Sequence, residues 1–251
     1  VTFLDDLARA LARREIVAYF QPQVDLASGR VVAGEALARW DHPVHGILDP
    51  DLFIPAAEQH GLIDELGILM VDEAWRHATD WITRGLAVQV AVNASASQFD
   101  GTLLTDHLSA LLGSADLPAG TLTVEITETL PFADTADVAR RLRLLTARGL
   151  GVSIDDFGAG YATVDRVDSL PATELKIDVS LVQDETDEGY RDLIRTVELA
   201  HGRGLRVVAE GVETEEQRRR VQILHCHRAQ GYLYGRPMSA EEFGDLLAAR
   251  R

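Results

Sequence analysis

The chain has 251 residues, 46% hydrophobic and 25% charged, and its 24 basic and 40 acidic side chains give a formal charge of −16. This is ordinary globular composition, which excludes disordered and collagen-like chains, and the lone Cys226 excludes a disulfide framework or a cysteine-based zinc finger. The acidity argues against a nucleic-acid polymer as partner but leaves room for a small phosphorylated ligand held through metal ions.

In chain order, short Val/Ile/Leu runs alternate with longer amphipathic stretches, the mark of βα units around a parallel sheet. The pattern predicts a helix over 2–14, strands over 17–24 and 30–40, and helices over 50–60 and 62–84. A strand over 87–93 precedes a helix over 103–113, and a strand over 121–127 precedes a helix over 134–148. Strand 151–156 leads into a glycine-rich loop, strand 173–178 precedes helix 189–203, and strand 205–209 precedes helix 215–224. A last strand over 229–231 comes before a helix over 240–250. Gly113, Gly149 and Gly204 fall where helices should stop, and Thr214-Glu215-Glu216-Gln217 fits a capping box. Asp184-Glu185-Thr186-Asp187-Glu188 reads as a solvated loop, favourable near a helix's positive end.

Eight strands with mostly βα connections predict an α/β fold, a modified TIM (β/α)8 barrel whose hairpin-like first strand pair departs from strict alternation. No linker-like, low-complexity or repeated segment divides residues 1–251, so one domain is expected. No apolar run approaches the roughly 18 residues of a membrane span, and no signal-peptide pattern opens the chain. A cytoplasmic location is therefore expected, with no membrane contact from this segment, and the start at Val1 is expected of a piece of something longer.

Strand side chains alternate faces. Val88, Val90 and Val92 oppose Gln89, Ala91 and Asn93, while Leu122, Val124 and Ile126 oppose Thr123, Glu125 and Thr127. Leu175 and Ile177 oppose Glu174, Lys176 and Asp178, and Leu205, Val207 and Ala209 oppose Arg206, Val208 and Glu210. Glu35, Leu37 and Arg39 lie together. The apolar face must meet the helices, so the other face lines the interior, where charge is costly unless paired or metal-bound. The charges also sit toward the C-terminal strand ends, where such barrels carry active sites. Glu35, Asn93, Glu125, Asp155, Asp156, Lys176 and Glu210 thus converge on one mouth.

Each has a bland alternative. Glu35 could pair with Arg39, Asn93 could cap a helix, Glu125 and Glu128 could lie exposed on an edge strand, and Asp155-Asp156 could hold a turn. Together those readings leave five carboxylates crowded round one lysine, and like charges that close would mostly protonate. Hard oxygen donors suit Mg2+, Mn2+ or Ca2+. Two such ions about 3.5–4 Å apart would clamp a phosphoryl group and activate water. Lys176 is the only lysine among 24 basic residues, which favours a role for a compact, titratable ammonium over a guanidinium.

Nine ordered motifs span essentially the whole chain: Gln21-Pro22, Glu35-Ala36-Leu37 with Arg39-Trp40, His42-Pro43, Asn93-Ala94-Ser95, Glu125-Ile126-Thr127-Glu128, Asp155-Asp156-Phe157-Gly158, Leu175-Lys176-Ile177-Asp178, Ala209-Glu210-Gly211-Val212-Glu213 and Gln230-Gly231-Tyr232. Together they resemble the EAL-domain cyclic di-GMP phosphodiesterases. The resemblance implies a modified TIM barrel that hydrolyses cyclic di-GMP to linear pGpG with two Mg2+ or Mn2+ ions, Ca2+ being inhibitory. It implies that Glu35, Asn93, Glu125 and Asp155 ligate one metal, and that Asp155, Asp156 and Glu210 surround the second. Lys176 then orients or deprotonates the attacking water, and Glu213 and Gln230 position water or support the ligands. Gln21, Leu37, Arg39 and Gln230 contact substrate, with Arg39 on a phosphate oxygen, and Glu128 anchors the loop after Asp156.

A homodimer and a regulatory or GGDEF domain N-terminal to this segment are further implications of the resemblance. No GG(D/E)EF stretch occurs in these residues. The loop from Asp156 to Thr163 departs from the family's common Gly-Tyr-Ser-Ser at Ala162. His225-Cys226-His227 reads as a surface loop, because it lacks a four-ligand metal set. The alternatives are a non-catalytic cyclic di-GMP receptor, disfavoured because no ligand position is lost, and an unrelated barrel enzyme that stabilises an enolate with carboxylate-bound Mg2+.

Overall fold

The computed structural model describes residues 3–127, 135–158 and 164–249. Helix α1 (Phe3–Arg13) leads into β1 (Ile16–Asp25), which turns back into β2 (Val31–His42) and the short β3 (Gly46–Leu48). Helices α2 (Ile54–Gln59) and α3 (Ile63–Thr83) follow, and βα alternation then begins: β4 (Gln89–Asn93), α4 (Leu103–Leu112), β5 (Leu122–Thr127), α5 (Thr135–Thr146), β6 (Gly151–Phe157) and α6 (Val164–Ser169). It continues with β7 (Glu174–Ile177), α7 (Val179–Gln183), α8 (Asp187–Gly202), β8 (Arg206–Ala209), α9 (Glu215–Ile223) and β9 (Arg228–Gln230), and ends with β10 (Met238–Ser239) and α10 (Ala240–Ala249).

Strand pairing runs β1-β9-β8-β7-β6-β5-β4-β2 and closes through β1–β2. The result is an eight-stranded barrel in which β1 is antiparallel to both β2 and β9, while the other junctions are parallel. Strands β10 and β3 extend β1 and β2.

Alternation separates two environments. Val90, Val92, Leu122, Val124, Val152, Ile154, Leu175, Ile177 and Val207 are all buried in the layer between barrel and helices. Each contributes about 1.5–3 kcal/mol. The buried polar residues Gln23, Glu35, Glu125, Ser153, Asp155, Glu174, Lys176, Arg228 and Gln230 come from the strands themselves. Glu125 therefore lies on an internal strand, not an edge.

Several local readings are revised. Instead of one helix over 50–60, a single 3-10 turn (Pro50–Leu52) stops at Phe53 and α2 starts afresh. Pro55 has no N–H to continue the first turn and is tolerated only near the start of a new helix. Asp178 leaves the interior series: β7 ends at Ile177, and Asp178 caps α7 by accepting from Ser180 N at 2.9 Å. Gly149 and Gly204 adopt left-handed φ values of 99° and 69° after their helices, whereas Gly113 ends α4 at φ −92°. The capping box forms, with Thr214 accepting from Gln217 N and the Gln217 side chain accepting from Thr214 N.

Candidate metal centre and active site

Lys176 is the hub of the mouth. It is 1% exposed, and its Nζ lies 2.7 Å from Glu210 Oε1, 2.9 Å from Glu125 Oε2, 3.0 Å from Asp155 Oδ1 and 3.3 Å from Glu35 Oε2. An ammonium offers three protons from one small centre, so it can face carboxylates on three strands and on the residue that follows β8; a planar guanidinium could not. Glu35 does not pair with Arg39. Its Oε1 accepts from Asn93 Nδ2 at 2.6 Å, and its Oε2 accepts from Gln230 Nε2 at 2.6 Å. Gln230 is itself tied down on β1: its Nε2 donates to Gln21 Oε1, and its Oε1 accepts from Gln23 Nε2, both at 3.0 Å.

Adjacent residues of a regular strand face opposite ways, so Asp155 and Asp156 should not share a site. The backbone resolves this. In the β6–β7 pair, Ile154 faces Leu175 and Phe157 faces Ile177, which leaves both aspartates opposite Lys176 alone. This is a β-bulge, and Asp156 sits in it at φ 56°, a left-handed value for a non-glycine residue. The bulge brings carboxylate oxygens of Asp155, Asp156 and Glu210 within 4.8 Å of one another, beside a second such group formed by Glu35, Glu125 and Asp155.

The electrostatics are unbalanced, with one cation for five carboxylates. Burial pushes Glu125 well above the usual carboxylate range, and neighbouring Glu35 adds to that. Burial also raises Asp155 to about 6 and Glu210 to about 8, against the pull of Lys176. Asp156 is raised, chiefly by burial. Burial opposes the charge of Glu35 too, but Lys176, Gln230 and Asn93 outweigh it and hold that carboxyl below its ordinary value. Lys176 would lose its proton through burial, yet Asp155, Glu125, Glu210 and Glu35 hold it well above the ordinary lysine range.

The donor set fits hard divalent cations. Glu125 is 0% exposed, its Oε2 is engaged by Lys176, and its Oε1 has no hydrogen-bond partner. A buried carboxylate oxygen without a partner is costly, and a cation is the ligand it lacks. Beside the cluster lies a cleft of about 270 Å³ lined by Gln21, Glu35, Leu37, Val179, Glu210, Gly211, Glu213, Gln230, Gly231 and Tyr232. Asn93 stands at the rim, exposed except for its bond to Glu35.

Arg39 lies outside this lining. Its Nε is 3.3 Å from Asp49 Oδ1, and its Nη1 donates to Ala38 O at 2.8 Å. Glu213 is exposed at the rim of the cleft. Glu128 and the loop residues 159–163, including Ala162, lie outside the described residues. Two features escaped the sequence reading. Gln23 holds Gln230, a role visible only as one more glutamine in strand alternation. Arg236 lies over the Tyr232 ring, 3.9 Å from its centroid, at the cleft mouth; the i, i+4 spacing of an aromatic and a guanidinium was the available signal.

His225 and His227 line a surface hollow with His201. The Nδ1 of His227 accepts from Val207 N at 3.0 Å, which leaves the ring proton on Nε2 and removes a metal-ligating lone pair. Among the described residues only the two acidic groups at the mouth have metal-site geometry, and no helix is long and apolar enough to cross a membrane.

A closed barrel with an acidic, lysine-centred C-terminal mouth defines the class as a candidate metal-dependent barrel enzyme. The chain belongs to the EAL domain family, whose model matches residues 4–237. It is 41% identical over 249 residues to the Pseudomonas aeruginosa bifunctional diguanylate cyclase/cyclic di-GMP phosphodiesterase MucR, covering 98% of this chain and 36% of MucR. It is 36% identical over 245 residues to the cyclic di-GMP phosphodiesterase RocR of the same organism, covering 97% of this chain and 62% of RocR. A solved PaMucR phosphodiesterase in complex with c-di-GMP matches with TM-score 0.88 at 40% identity, covering 96% of this chain and 98% of that one. The chain thus spans about a third of the length of MucR and less than two thirds of RocR.

Proposed function

We propose that this chain hydrolyses cyclic di-GMP to linear pGpG with two Mg2+ or Mn2+ ions, as the phosphodiesterase part of a longer, cytoplasmic, homodimeric signalling protein. The observation that carries the reading is the over-acidic cluster around Lys176, with the unpartnered Glu125 Oε1 at its centre. Glu35, Asn93, Glu125 and Asp155 would hold one ion, and Asp155, Asp156 and Glu210 the other. Bound, such ions lower the pKa of water and stabilise the leaving 3′ oxygen.

The chain's own residues do the rest. Lys176 Nζ, kept charged by its carboxylates, orients the attacking water by donating to it. Gln230 fixes the carboxylate of Glu35, while Gln21 and Leu37 set the wall along which the substrate lies. Glu213 holds water at the rim, and Arg39 reaches a phosphate oxygen by leaving Asp49. The dianionic substrate meets a chain of charge −16, so binding depends on cations offsetting the acidic mouth.

The test is turnover of cyclic di-GMP by the purified chain with Mg2+, Mn2+, Ca2+ or EDTA, reading pGpG by chromatography. Cleavage with Mg2+ or Mn2+, abolished by EDTA and poorly supported by Ca2+, is expected. Tight binding without cleavage under every condition would make the chain a receptor, and neither binding nor cleavage would overturn the reading.

A further inference from the structure

Below the mouth, two buried oxygens without partners stand on neighbouring strands. Glu125 Oε1 and Ser153 Oγ are both inaccessible and unbonded, in residues that are each 0% exposed. Glu125 and Ser153 are register partners in the parallel β5–β6 pair. Both face the interior: Glu125 touches Lys176, and Ser153 precedes Asp155 by two residues on the same strand face. The layer below them is filled, since Thr123 stands opposite Gly151 and an added Cβ there would overlap the Thr123 hydroxyl, so neither oxygen reaches solvent from that side. A buried hydroxyl left without an acceptor costs about 1–3 kcal/mol. A second orphan in the adjacent register position is therefore unlike a chance defect. A polar space bounded by two or more such groups is where proteins retain internal water.

We propose that one buried water bridges Ser153 Oγ and Glu125 Oε1, making Ser153 a positioning residue for Glu125. The inference rests on the reading of Glu125 as a metal ligand. A carboxylate oxygen has two acceptor directions, so Oε1 can face a cation with one and the bridging water with the other, while Oε2 remains with Lys176. Outer partners of this kind fix the orientation and raise the basicity of a ligand, and their loss costs about 10–100-fold in metal affinity or activity.

The test is Mn2+ titration followed by the electron paramagnetic resonance of the free ion, with circular dichroism to confirm folding. Ser153→Ala removes the hydroxyl without opening space and should weaken Mn2+ binding about tenfold. Ser153→Gly opens space for a second water and should recover most of that loss. Wild-type affinity in Ser153→Ala, or equal weakening in both variants, overturns the bridge. Glu125→Gln separates the two claims. If Glu125→Gln binds Mn2+ like the wild type, the ligand reading fails; if it loses Mn2+ while Ser153→Ala does not, only the bridge fails. Should the variants not fold, a high-resolution crystal structure of the unmodified chain decides, since a water within hydrogen-bond reach of both oxygens is expected and its absence overturns the inference.

Discussion

The barrel interior carries an ion cluster at each end, and the two are built oppositely. At the C-terminal mouth, Lys176 serves Glu35, Glu125, Asp155 and Glu210, with Asp156 beside them. At the N-terminal floor, Glu174 lies 3.2 Å from Arg206 Nη1 and 3.7 Å from Arg228 Nη1, and Gln89 Oε1 accepts from both arginines across the barrel. Asp25, paired in register with Arg228, adds a further negative charge there. The floor balances cations against carboxylates, and Glu174 Oε2 and Gln89 Oε1 each face both arginines. The mouth does not, and it holds the one buried carboxylate oxygen that lacks a hydrogen-bond partner among the described residues. Both ends bury charge, so burial alone does not mark the site; the imbalance does.

The sharpest way to break this comparison is to remove a ligand from the mouth. Glu35→Ala or Asp155→Asn should cut cyclic di-GMP turnover at least about 10³-fold while far-UV circular dichroism stays unchanged. Near wild-type turnover in either would show that the imbalance has no catalytic meaning. Next, Lys176→Ala should lower kcat by about 10²–10⁴-fold, more than it raises KM. A pure rise in KM would make Lys176 a substrate contact. Lys176→Arg should not restore the rate, because the planar fork cannot take the place of one small centre facing four carboxylates.

The floor should respond in the opposite currency. Glu174→Gln leaves the buried Arg228 without its nearest carboxylate, at a cost of about 3 kcal/mol, or roughly 6–12 °C in Tm. Mn2+ affinity should not change. A variant that kept its Tm but lost Mn2+ binding would mean that the two clusters are one electrostatic unit.

Period-two alternation was enough to place Glu35, Glu125 and Lys176 on one interior surface, because each lies on a regular strand, and its continuation one residue past β8 reached Glu210. It also put Glu174 and Arg206 on that surface, but alternation gives the face and not the height, so the floor was not separable from the mouth. Asp156 is the reverse case. Alternation points it away from Asp155, and only the bulge at φ 56° turns it in; the sequence reading put both aspartates at the mouth, but alternation alone did not license the second. Helices α6 and α7, at 6 and 5 residues, are too short to show a 3.6-residue period, and strands β3 and β10, at 3 and 2 residues, are too short to show alternation. The aim of Arg39 toward Asp49 depends on the fold of the 50–60 segment, which Pro55 breaks in two.

The smallest expected effect is a stability slope. In the metal-free protein Glu210 titrates near 8 and Asp155 near 6, against ordinary values of 4.5 and 3.8. Below about pH 3 both residues are mostly protonated whether the chain is folded or unfolded. As pH rises, the unfolded chain releases these protons first, so it binds fewer than the folded chain and stability falls. The fall should be steepest up to about pH 6, where Asp155 and Glu210 both contribute, and should continue to about pH 8 on Glu210, with the raised Glu125 and Asp156 acting in the same direction. Lys176, raised above its ordinary value, stays protonated in both states over this window and adds no slope. Cation binding displaces the retained protons and tightens with pH, so millimolar Mn2+ should flatten or reverse the trend. Tm measured in EDTA should therefore drop by a few degrees between pH 5 and pH 8, with Glu210→Gln removing part of the drop and Mn2+ removing more. A metal-free Tm that rose across that range would mean that the mouth is already charge-balanced without a cation, and the contrast between the two ends of the barrel would disappear.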